Sequence, residues 1–69
     1  PYYMYRRAQE AVDKQDYDKA LKLIKAAIKK EKDEIRFYRL AVTIYDALGD
    51  KQNAEHMRDK VYQLNTIRF

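Results

Sequence analysis

Residues 14–29, KQDYDKALKLIKAAIK, decide how the chain is read. A polar turn opens the stretch. Tyr17, Ala20, Leu21, Ile24, Ala27 and Ile28 then follow at the three- and four-residue spacing that puts side chains on one face of a helix. Asp16 stands where a helix N-cap is preferred. Two of the contact positions are alanine, too small to fill a core. They suit a helix whose backbone lies close to that of its neighbour, and alanine is also the strongest helix former.

Three further helices are predicted around this one. The first covers Pro1 to Lys14, with proline at a helix start, where its missing N–H is no loss. The second runs from Asp16 to Glu31. The polar run Lys30-Glu31-Lys32-Asp33 breaks the chain, and Asp33 is the candidate cap of a third helix from Glu34 to Leu48. Gly49, the only glycine, is expected to end that helix in a left-handed conformation. Asp50 then caps a fourth helix reaching Asn65. Such short breaks force consecutive helices to pack antiparallel. The expected fold is therefore all-α, two helical hairpins within one domain over residues 1–69.

The third helix carries the most information. Between Arg36 and Leu48 its polar residues are Arg36, Arg39, Thr43 and Asp46, which fall within an arc of about 80° at 100° per residue. Phe37, Tyr38, Leu40, Ala41, Val42, Ile44, Tyr45, Ala47 and Leu48 fill the rest. A helix apolar on nearly every side needs neighbours on nearly every side, so it is expected in the middle of the stack. The second helix turns Lys22, Lys25 and Lys29 outward. The fourth has a narrow stripe of Ala54, Met57, Val61 and Leu64, as befits an edge helix.

Composition narrows function by exclusion. The chain has 69 residues, no cysteine, one histidine, and 15 Lys+Arg against 11 Asp+Glu for a net charge of +4. Disulfides and thiolate metal sites are excluded. There is no histidine cluster, no calcium loop, no glycine-rich phosphate loop and no serine nucleophile, so neither enzyme activity, metal nor cofactor is expected. His56 falls on the polar side of the fourth helix. Glu10, Asp13 and Asp46 are the carboxylates that a groove could gather. No segment is long and apolar enough to span a bilayer, and no signal-peptide pattern is present. The chain starts at Pro1 and reads as part of something longer; a cytoplasmic setting is the expectation.

The two hairpins share a period. The step from Asp16 to Asp50 recurs from Ala20 to Ala54, from Gln15 to Gly49, from Ala27 to Val61 and from Tyr3 to Phe37. A helix pair repeating at this interval, about 34 residues, resembles the tetratricopeptide repeat. Lys14-Gln15-Asp16-Tyr17-Asp18-Lys19-Ala20-Leu21 looks like that family's inter-helix turn, as does Gly49-Asp50-Lys51-Gln52-Asn53-Ala54. Tyr45 matches its aromatic near the end of a first helix. The repeats would span about 1–34 and 35–68, stacked as a short right-handed superhelix. Departures are Gln15 for glycine, Arg7 and Arg58 at apolar positions, and Lys32 and Thr66 for proline. The alternatives are another four-helix bundle, or a three-helix domain of the microtubule-interacting-and-trafficking type, which shares an Asn/Asp-Tyr-x-x-Ala-Leu stretch. The second turn, one period further on, argues against the latter.

The resemblance implies a protein–protein interaction module, an adaptor or scaffold. Its concave face would hold a peptide on Tyr2, Tyr5, Gln9 and Asp13 of the first helix and Arg36, Arg39, Thr43 and Asp46 of the third. The second set is the polar stripe already found from periodicity. Arginine forks onto carboxylates and tyrosine supplies contact area at low entropy cost, so an acidic or C-terminal peptide would suit. Tyr5, Gln9 and Thr43 stand where family members that grip chaperone tails carry Lys and Asn, and that specific activity is not implied. Two repeats are fewer than a solenoid usually needs. Self-association, or continuation in a longer array, is therefore the alternative, through Met57, Val61, Tyr62, Leu64, Ile67 and Phe69. A basic nucleic-acid-binding role for Arg6, Arg7 and Tyr3 with Lys22, Lys25, Lys29 and Lys32 is the lesser alternative, weakened by Asp18 within the lysine face.

Overall fold

In a computed structural model the chain is four α-helices and no strand over the residues described, which are 1–67 for the backbone and 1–66 for side chains. They are α1 (Tyr2–Asp13), α2 (Tyr17–Lys30), α3 (Ile35–Leu48) and α4 (Lys51–Ile67). The all-α expectation holds, and adjacent helices pack as two hairpins, α1 on α2 and α3 on α4.

The turns inside the hairpins are alike. Asp16 N–H donates to the Ala11 carbonyl (2.8 Å) and Gln15 N–H to that of Val12 (2.9 Å). Asp50 N–H donates to the Tyr45 carbonyl (2.9 Å) and Gly49 N–H to that of Asp46 (3.1 Å). This is the six-to-one and five-to-two pattern of a Schellman motif, which satisfies carbonyls that a helix end would leave orphaned. Gln15 and Gly49 both take positive φ, 62° and 76°. The next helix is then capped by aspartate: Asp16 Oδ1 accepts from Lys19 N–H (3.4 Å) and Asp50 Oδ1 from Asn53 N–H (3.2 Å).

The hairpins join through a different connection. Here the cap of α3 is Glu34, whose carboxylate accepts from Arg36 N–H (3.2 Å). This corrects the expectation of Asp33: the longer side chain folds back over the helix start. Tyr38, buried in α3, donates its hydroxyl to the Lys32 carbonyl (2.7 Å) and ties the connection to the helix. Burial, then the nearby Asp33 carboxylate, push the Tyr38 phenol up from its ordinary value. The first two helices end one residue earlier than expected, with Lys14 and Glu31 as caps, and α4 runs two residues further, to Ile67.

The core gathers on α3, which packs against α1, α2 and α4. Phe37, Ile24 and Ile44 are its largest fully buried side chains. Around them lie six alanines, Ala8, Ala11, Ala20, Ala27, Ala41 and Ala54. Ala20 and Ala54 come one helical turn after the two aspartate caps, and neither has any exposed surface. Both belong to the buried core cluster, where the opening stretch suggested small residues. The central placement of α3 also holds, with one limit: Ala47 and Leu48 are exposed.

Candidate interaction site

The eight residues expected on the concave face divide into three groups. Tyr2, Tyr5 and Arg36 meet at one end. The Arg36 guanidinium lies 5.0 Å from the Tyr2 ring centre and 5.9 Å from that of Tyr5. Both rings also contact Phe37, with centroids 5.8 Å and 5.2 Å away. The Tyr2 ring meets Phe37 edge-on and the Tyr5 ring at a tilt; cation–π and aromatic contacts of this kind are favourable. Arg36, however, is already spoken for. Its Nε donates to Glu34 Oε2 at 3.0 Å and its Nη2 to Oε1 at 3.1 Å, a bidentate fork. The Tyr2 hydroxyl donates to the same Oε1 at 3.0 Å.

Four donors on one carboxylate set its chemistry. The Arg36 side chain first, with help from its backbone N–H and from Tyr2, holds Glu34 down at about 2, against the opposing effect of partial burial. Its side chain is 12% exposed, while that of Arg36 is 52% exposed. Arg36 is correspondingly pushed up by Glu34. Sequence reasoning missed Glu34. Its signal was an acid two residues before an arginine at a helix start, the reach a cap needs.

Gln9 and Asp13 form the second group. They line an open groove of about 460 Å³ with Arg6, Glu10 and Val12 of α1 and Leu40 of α3. Glu10 and Asp13 thus share a groove. Asp46 lies elsewhere, receiving Arg58 Nη2 at 2.7 Å.

Arg39, Thr43 and Asp46 are the third group. All are exposed or half-exposed, as the stripe required. Thr43 donates back to the Arg39 carbonyl (3.4 Å) within its own helix. Arg39 turns to the α3–α4 side, where it lines a hollow of about 210 Å³ with Val42, Arg58 and Val61. Among the described residues Arg39 has no ion pair, so it is the stripe's free cation. Arg58, with an exposed side chain, pairs with both Asp46 and Glu55.

Of the expected self-association residues, Met57, Val61 and Leu64 are half-buried and Tyr62 is 73% exposed. Met57 packs on the core. The side chain of Ile67, and Phe69 altogether, lie outside the described residues. His56 is exposed beside Gln52, Asn53, Glu55 and Asp59. Lys22, Lys25 and Lys29 are exposed along α2. No group of histidine and acidic residues spaced to hold a metal occurs among the described residues. None of their helices is long and apolar enough to cross a membrane. Comparison with family models, with curated proteins and with solved structures gave no match.

Proposed function

We propose that the chain is a protein-interaction module built in the manner of tetratricopeptide repeats, which receives a partner segment on the face shared by α1 and α3. The observation that carries this reading is the enclosure of α3. Three helices pack on it, yet Arg36, Arg39, Thr43 and Asp46 stay exposed, and its Leu40 shares the open groove of Gln9 and Asp13. Support for the family reading comes from the two turns, whose hydrogen bonds and aspartate caps coincide when the chain is shifted by one period. With Arg36 committed to Glu34, Arg39 is the residue that attracts a partner's carboxylate. A surface of groove, tyrosine and one unpaired arginine suits an extended acidic peptide better than a reaction.

The test is a titration of the isotope-labelled chain with acidic and neutral extended peptides, followed by amide shifts. Saturable shifts at Gln9, Asp13 and Thr43, stronger for acidic peptides and weakened by Arg39→Glu with helicity unchanged, are expected. Equal affinity in Arg39→Glu, or shifts confined to α2, would remove the assignment.

A further inference from the structure

The hollow at the α3–α4 edge has a filled counterpart inside the molecule. Its lining residues are Arg39, Val42, Arg58 and Val61. Moving each back by one period, the step from Asp50 to Asp16, gives Tyr5, Ala8, Ile24 and Ala27. All four pack in one cluster with Phe37: the Tyr5 ring lies 5.2 Å from it, and Ala8, Ile24 and Ala27 are buried members of that cluster. Phe37 has no exposed surface. The first hairpin therefore closes its hollow with an aromatic side chain from the helix stacked on it. Among the described residues the second hairpin leaves the equivalent hollow open, with the two valines making its apolar part.

The counterpart also says which neighbour the aromatic needs. Within the chain, the residue before Phe37 is Arg36, held over Tyr2 and Tyr5. At the outer hollow the places of Tyr2 and Tyr5 are taken by Arg36 and Arg39. Arg36 is held by Glu34, so an arginine arriving there would be repelled by Arg39, which has no ion pair among the described residues, and a carboxylate would pair with it. We infer that this edge docks an amphipathic helix of another protein that presents an acidic residue immediately before an aromatic one. The aromatic ring enters the Val42–Val61 hollow and the carboxylate pairs with Arg39.

A second copy of this chain fits worse. The α1 counterpart of Phe37 is Tyr3, 68% exposed, but it follows Tyr2 rather than an acid. Where α3 has Leu40, Ala41 and Ile44, α1 has the exposed charges Arg6, Arg7 and Glu10. Stacking that face on the hollow would take these charges out of water, which is strongly unfavourable without dedicated partners.

The probe is the α3 sequence itself, residues 34–48, as a capped peptide in three forms: unmodified, Arg36→Glu, and Arg36→Glu with Phe37→Ala. The full chain carries labelled valine methyls. The Arg36→Glu peptide is expected to shift Val42 and Val61 saturably and to bind several-fold tighter than the unmodified one. Loss of the aromatic should weaken it by about tenfold or more, as for a central anchor. In the Arg39→Glu chain the preference should invert, with the unmodified peptide now the tighter. The idea is overturned by no methyl shift from any peptide at millimolar concentration, or by a preference that does not invert. It is equally overturned if the two methyls move on dilution of the chain alone, which would seat a second copy there. Shifts at Gln9 and Asp13 without the valines would support the groove and reject this edge, so the two readings fail separately.

Discussion

The turn at Gln15 and the turn at Gly49 make the same hydrogen bonds from different residues. Each has a left-handed residue, then an aspartate that caps the next helix, then a buried alanine one helical turn on. Glycine takes positive φ freely; glutamine does so at a cost. Nothing lies within 4 Å of where a Gly49 side chain would begin, so space is not the reason for glycine there. The first turn carries strain that the second avoids, and has Tyr17 packed on the core where the second has exposed Lys51. The lesson is that the turn geometry is imposed by the close helix contact and the caps. The left-handed residue adapts to it. The connection between hairpins, without this device, relies on Glu34 and Tyr38 instead.

The largest effect should come from the alanines. Ala20→Leu and Ala54→Leu would each overpack a contact with no free surface, and should cost ~1–3 kcal/mol in chemical denaturation. A variant with unchanged midpoint would mean that its hairpin is not closed by that contact, and the likeness of the two turns would fail. The left-handed positions should respond less and in opposite directions. Gly49→Ala should destabilise by about 1 kcal/mol, and Gln15→Gly should stabilise by up to about 1 kcal/mol. A loss of stability in Gln15→Gly would show that the glutamine side chain supports the turn.

The smallest effect concerns the connection. Glu34 has its folded value lowered from 4.5 to about 2, so it binds its proton more weakly in the folded chain. Its stabilising contribution is complete above its ordinary value of 4.5 and falls away as the pH drops toward about 2. Asp50, held below its ordinary value by Asn53, adds a loss of the same sign in acid. Glu34→Gln should therefore flatten the acid limb of the stability profile and leave the Asp50 part. An unchanged acid limb would mean that the Arg36 fork is too solvated to matter.

Local rules placed the helices because each signal lies within a few residues: Asp16, Gly49 and Asp50 at the turns, and the apolar spacing between them. The polar stripe of α3 was legible for the same reason. Where charges go was not legible. Arg36 and Asp46 read as free groove residues, yet the fold gives them Glu34 and Arg58. Arg39 read only as a concave-face residue, yet it also lines the hollow on the α4 side. A long side chain on a helix can reach either flank, and its partner is chosen by which helix stands there.

The sequence by itself determined four helices, their antiparallel order and the small residues of their shared core, since these follow from backbone preference and spacing. Only the tertiary structure decided that Phe37 packs into the first hairpin's core while, among the described residues, the counterpart at Val42 and Val61 stays open. Whether a hollow is filled depends on a helix far along the chain, and side-chain volume at one position carries no record of what will be stacked upon it.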